Sequence, residues 1–173
     1  MPYADIYFME GVRRRYTLKE SEKKVLAKRF AETFNVGMEE VIGGKPRVEV
    51  VELDDKRRIF IVNEKPLLIE AEGELIPTLI FEEILHHLPK VIVDMGAIPH
   101  ICNGADIMAP GIVRLEGEFK RGDLAVILDE RHLKSIAIVR ALVDLDEAKS
   151  VKRGKVFENL HYVGDFVWNI LRG

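Results

Sequence analysis

Apolar positions recur along this chain with two different periods, and the change from one to the other organises it. Leu18, Val25, Leu26, Phe30 and Phe34 fall at helical spacing with lysines and glutamates between them, which predicts an amphipathic helix. Thr17-Leu18-Lys19-Glu20 has the spacing of a capping box at its start, and Gly37 or Gly43-Gly44 ends the region. The pattern then turns strand-like. Val48 to Leu53, a turn at Asp54-Asp55, and Ile59 to Val62 predict a β-hairpin, and Asn63 to Pro66 leads into a third strand, Leu67 to Ala71. Pro77 to Leu85 reads as a helix with the proline at or before its first turn, and Leu88-Pro89 as a boundary. Residues 1–88 are therefore expected to form an α+β domain.

Residues 89–173 carry short strands at Val91–Val93, Leu124–Leu128, Ile136–Leu142 and near Lys155–Val163, separated by glycines or charged turns. That rhythm fits a small β-barrel better than a βαβ array. Ala97 to Asn103 reads as one or two helical turns with Gly104 as C-cap. Tyr162, Phe166 and Trp168 alternate, as on the inward face of a closing strand.

The chain has 173 residues, 47% of them apolar and 32% charged. Its 26 basic and 29 acidic residues leave a net charge of −3, so no overall polycation holds nucleic acid and any such contact needs a local patch. A single cysteine, Cys102, excludes an internal disulfide and a multi-cysteine zinc site. Met1 to Asp5 lacks the basic region and apolar core of a signal peptide, and no apolar run is long enough to span a membrane. A soluble, cytoplasmic protein is expected.

Two Gly-Ala pairs lie close together after the Val91–Val93 strand, in Asp94-Met95-Gly96-Ala97 and in Gly104-Ala105-Asp106-Ile107-Met108-Ala109-Pro110-Gly111. Such pairs let main chain approach a ligand or another segment closely. With the apolar stretch Ile98–Cys102 between them and Gly122-Asp123 further on, they resemble the PUA domain, a small β-barrel of RNA-modifying enzymes and translation factors. Pro77-Thr78-Leu79, Arg153-Gly154 and the ending Glu158-Asn159-Leu160-His161-Tyr162-Val163-Gly164-Asp165-Phe166-Val167-Trp168 are similar to the malignant-T-cell-amplified-sequence family. Members of that family join a small α/β domain to a C-terminal PUA domain. The resemblance implies an α+β N-terminal domain followed by a PUA-type β-barrel, and RNA binding at the small ribosomal subunit and the CCA end of tRNA. It also implies a partner of the density-regulated type. An archaeal relative of the family would have this compact, highly charged form.

The implied RNA site comprises Gly96, Ala97, His100, Gly104 and Ala105, which would admit an unpaired RNA end, with Lys120, Arg121, Lys152, Arg153 and Lys155 on its phosphates. Relatives tend to carry a lysine and an aromatic after the first Gly-Ala-hydrophobic triplet, where this chain has Pro99-His100. Arg13-Arg14-Arg15 and Lys56-Arg57-Arg58 read as solvated turns or faces. His86 and His87 are adjacent and cannot share a metal as an i, i+4 pair can, and His161 has no partner at recognisable spacing. Asp94 reads as a turn cap and Cys102 as a buried small hydrophobe. No nucleophile elbow, phosphate loop or dinucleotide fingerprint occurs, so recognition without catalysis, cofactor or metal is expected. Two alternatives stand beside it: an accessory subunit presenting tRNA to a modification enzyme, and a protein-binding adaptor.

Overall fold

A computed structural model of the chain describes residue 6 and residues 9–172; Met1 to Asp5, residues 7 and 8, and Gly173 lie outside the described residues. The chain divides into two units, one of residues 1–84 with 170–173 and one of residues 85–169, whereas the sequence places the boundary at Leu88.

The first unit is an antiparallel sheet of five strands in chain order: β1 (Val12–Thr17), β2 (Val48–Leu53), β3 (Arg58–Val62), β4 (Lys65–Ala71) and β5 (Glu74–Pro77). Helices α1 (Glu20–Phe34) and α2 (Met38–Ile42) lie between β1 and β2. Two-residue turns set the registers. Asn63 and Glu64, then Glu72 and Gly73, all have positive φ (47°, 67°, 51° and 81°), the geometry whose twist matches a tight hairpin. Leu26 and Phe30 of α1 are buried, and Phe30 lies 6.0 Å from the ring of Phe81.

Four expectations for this unit change. The capping box at Thr17 does not form; α1 starts at Glu20, and Glu22 Oε2 accepts the Lys19 amide at 2.9 Å. Val25 is 60% exposed, because the buried stripe is narrower than the run of apolar residues. Pro77 ends β5 rather than opening a helix, and α3 is only Glu82–Leu85. Arg13 to Arg15 are in strand β1, so Arg14 and Arg15 point to opposite faces and find different carboxylates, Glu52 and Glu49.

Those carboxylates belong to an ordered array. Cross-strand register aligns Arg14 with Glu52, Glu52 with Arg58, and Arg58 with Glu70, giving alternating charge across four strands. Arg14 bonds Glu52 at 2.6 and 2.9 Å, Tyr16 Oη donates to the same carboxylate at 3.1 Å, and Arg58 reaches Glu70 at 2.6 Å. Arg29 of α1 closes the row on Glu70 and donates to the Gly73 carbonyl at 2.9 Å. The hydrogen bond from Arg14 holds the Glu52 carboxyl below the usual range. Burial alone would raise Glu70, but the hydrogen bonds from Arg29 and Arg58 outweigh it and lower it.

The second unit is a six-stranded sheet in the order β7-β11-β10-β9-β6-β8: β6 (Lys90–Val93), β7 (Ile107–Met108), β8 (Ile112–Glu116), β9 (Leu124–Asp129), β10 (Ser135–Ala141) and β11 (Lys155–Tyr162). β6 pairs parallel to β9 and antiparallel to β8. The outermost strands, β7 and β8, are consecutive in the chain and joined by one 3-10 turn, Ala109–Gly111, so the sheet curls round on itself. Inside lie Val91, Val93, Ala125, Ile127, Val139 and Phe157, with Phe119 set 5.3 Å from the Phe157 ring. Each large side chain so buried contributes about 1.5–3 kcal/mol. Besides α4 (Ile98–Ile101), helix α5 (Leu145–Ser150) lies in this unit, and α6 (Phe166–Arg172) begins in it. The alternation of Tyr162, Phe166 and Trp168 is therefore not a strand: β11 stops at Tyr162, Asp165 accepts the Trp168 amide at 2.7 Å, and α6 begins.

The charge row predicts a pH dependence. Glu52 and Glu70 have folded pKa values below their unfolded ones, so their contribution is present above the unfolded pKa and lost as pH falls through the folded one. Arg58→Leu removes the partner that faces both. It should cost about 1 kcal/mol near neutrality, read by denaturant titration, and the difference from wild type should shrink once both carboxyls are protonated.

Candidate functional site

The site grows from the way β6 ends. Past Val93 the Asp94 amide donates to the Gly111 carbonyl at 3.0 Å, and Asp94 Oδ1 accepts the Ala97 amide at 2.8 Å, capping the turn into α4. Pro99 sits in the first turn of α4, where its missing N–H costs nothing. The helix closes after one turn: Gly104 takes φ +92°, and the Ala105 amide returns to the His100 carbonyl at 3.0 Å. A side chain at Gly104 would be strained twice, since its Cβ would also lie 3.1 Å from Tyr162 Oη. Gly111 is small for another reason: a Cβ there would lie 3.2 Å from that of Ala97.

Asn159 of β11 fastens the loop after α4. Its Nδ2 donates to the carbonyls of Ile101 and Ala105, both at 3.0 Å, and its own amide donates to Asp106 Oδ1 at 2.9 Å. The Asn159 amide is the chief reason the Asp106 carboxyl lies below its usual range, and Lys155, whose Nζ is 3.0 Å from Oδ2, adds to it against the opposing effect of burial. Sequence reasoning missed the roles of Asn159 and Asp106, because their partners lie more than fifty residues away.

Between the two Gly-Ala segments lies a cavity of about 410 Å³. Ala97, His100 and Ala105 line it, with Val93, Ile107 and Pro110, and the carboxylates at its margin, Asp94 and Asp106, are already bonded. Gly96 and Gly104 adjoin these lining residues, both exposed. Lys155 pairs in register with Met108, which also lines the cavity, and the Gly154 carbonyl accepts the Ala109 amide at 2.9 Å, so exposed Lys152, Arg153 and Lys155 stand beside it. Lys120 and Arg121 occupy the loop before β9. Their amides donate to Asp123 and Asp144, and Lys120 lines a separate concavity with Glu118, Asp123, Asp144 and Asp146.

His161 is fully buried and does have a partner: its Nδ1 lies 2.8 Å from Asp165 Oδ2. That hydrogen bond, with the amides of Tyr162 and Trp168, holds the Asp165 carboxyl low against the opposing effect of burial. Cys102 is only part-buried, and burial pushes its thiol up, away from the reactive thiolate. Among the described residues no three His, Cys, Asp or Glu side chains converge to hold a metal, and no helix is long and apolar enough to cross a membrane.

Residues 89–163 match the PUA domain, and residues 14–83 match a domain of unknown function, DUF1947. An uncharacterised protein of Methanocaldococcus jannaschii is 39% identical over 91% of this chain and 97% of its own length. Translation machinery-associated protein 20 of Saccharomyces cerevisiae is 30% identical, with 88% of each chain covered. The crystal structure of a hypothetical protein from Pyrococcus horikoshii superposes with a TM-score of 0.76 at 33% identity, over 91% of this chain and 99% of that one. With its motifs, its two matched domains and near full-length relatives in agreement, the chain belongs to the family of two-domain PUA proteins that includes translation machinery-associated protein 20.

Proposed function

We propose that this chain is an RNA-binding protein of translation, acting in the cytoplasm at the small ribosomal subunit on the CCA end of tRNA. The observation that carries the reading is the cavity of about 410 Å³ between the Gly-Ala segments, lined by Ala97 and Ala105 together with apolar Val93, Ile101, Ile107 and Met108, and edged by Lys152, Arg153 and Lys155. A concavity of that size takes about one unstacked nucleotide. Ala97, Ala105 and the exposed main chain at Gly96 and Gly104 leave room for a base and ribose, and the His100 ring offers a face or a hydrogen bond to the base. Lys152 and Arg153 neutralise phosphates outside, and Lys155 joins them by leaving Asp106. Lys120 and Arg121 add a weaker contact, because Asp123 and Asp144 sit beside them.

This is recognition, not catalysis. Translation machinery-associated protein 20, a near full-length relative, is named for association with the translation machinery, and the buried His161–Asp165 pair has no access to a substrate. The N-terminal unit supports a protein contact better than an RNA one, since Arg14, Arg15, Arg29, Arg57 and Arg58 are all bonded to its own carboxylates. A partner of the density-regulated type is therefore assigned to that unit.

The decisive titration compares tRNA bearing an intact CCA end with the same tRNA trimmed of it. The intact RNA should bind at least about tenfold more tightly, a difference of about 1.4 kcal/mol. Ala105→Glu places a charge in the cavity from an exposed position and should abolish that preference while the thermal midpoint holds. Equal binding of both RNAs, or a preference that survives Ala105→Glu, removes the cavity from the reading. Replacing Lys152, Arg153 and Lys155 by alanine should flatten the salt dependence by about 0.7 log units for each phosphate no longer neutralised, and an unchanged slope removes them from the site.

A further inference from the structure

The turn between β9 and β10, Glu130 to Lys134, is bonded to the first Gly-Ala loop. The Glu130 amide donates to the Val93 carbonyl at 3.1 Å, and Glu130 Oε1 accepts the Met95 amide at 3.1 Å. Val93 lines the cavity, so this turn is fastened to its margin through Val93, whereas the Lys152–Lys155 segment is fastened through Ala109.

The turn is also built to keep one shape. Asp129, only 4% exposed, accepts the amides of Arg131, His132 and Lys134 at 2.9, 2.6 and 3.0 Å. The His132 amide leads in holding this carboxyl below its usual range. Leu133 takes φ +53°, and its amide returns to the Asp129 carbonyl at 3.0 Å. All five residues of the turn are exposed, and among the described residues none of the Arg131, His132 and Lys134 side chains is held in an ion pair. Arginines of the N-terminal unit meet carboxylates of their own sheet; these cations, on a backbone already fixed, do not. Cations left unpaired on a rigid turn lose little entropy on meeting phosphate.

We infer that Arg131 and Lys134 form a second phosphate-holding wall, so that a single RNA strand crosses the cavity between two basic segments and continues past its end. The inference rests on the RNA-binding reading and adds to it the strand's path and length. RNA only long enough to fill the cavity gains nothing from the turn; a longer strand does.

The test uses two single-stranded RNAs ending in CCA, of about four and about twelve nucleotides, titrated with the full chain at several salt concentrations. Arg131→Ala/Lys134→Ala leaves the amides that bond Asp129 in place, so the fold is kept. The short RNA should bind this variant as it binds wild type. For the long RNA the salt slope should fall by about 1.4, about 0.7 for each phosphate released, with binding weakened about tenfold at low salt. Lys24→Ala/Lys28→Ala, at exposed positions on α1, should change neither. A long-RNA slope unchanged in the turn variant overturns the second wall, and so does an equal loss in the α1 variant. The cavity reading stands apart from those outcomes if Ala105→Glu still abolishes the preference for the intact CCA end, whereas failure of wild type to bind either RNA brings down both.

Discussion

A Cβ at Gly111 would lie only 3.2 Å from that of Ala97, so the two segments meet with almost no room for a side chain at Gly111. Asp94 bonds to Gly111 at the same point, which fixes the place where the chain passes from one outer strand of the second sheet to the other. This contact closes the sheet and leaves a hollow bounded by Ala97, Ala105 and Gly111 beside Val93, Ile101, Ile107 and Met108. Had the two segments met through large side chains, their bulk would have filled the cavity. The hollow and the closure thus follow from one steric condition, and Asn159 maintains it from behind by holding the loop carbonyls of Ile101 and Ala105.

Charge is arranged differently in the two units, although neither carries a large excess. In the first, register across four strands alternates Arg14 and Arg58 with Glu52 and Glu70, so the charges of that row act mainly on one another. In the second, buried Asp129 spends its charge on backbone amides and leaves the side chains around it unneutralised. A net charge of −3 says little about either arrangement. Affinity for a polyanion depends on where unpaired cations sit, not on their sum.

Much of this was legible in the sequence. The Gly-Ala elements, the hairpin at Val48 to Val62 and four strands of the barrel follow from period and turn residues. β5 was missed although Glu72-Gly73 carries a hairpin-turn signal, because Pro77 suggested a helix start and the short apolar run Leu75-Ile76 was too brief to outweigh it. Phe166 and Trp168 looked strand-like because two-residue spacing was read across Asp165, whose carboxylate caps a helix. Of the residues the motif singles out, Ala97, His100 and Ala105 line the cavity. The roles of Asn159, Asp106 and the turn after Asp129 were not legible, since they depend on pairings between distant segments or on a turn too short to have a period.

The outer strand of the first sheet adds one more consequence. β1 ends the strand order with Arg13, Arg14 and Arg15 in succession. A sheet margin is a template on which another copy can add a strand. On β1 a new strand would meet Arg14 and Arg15 already engaged with Glu52 and Glu49. The ion pairs that brace the sheet therefore also line its open margin with charge, one of the ways in which a sheet edge is made a poor template for another strand.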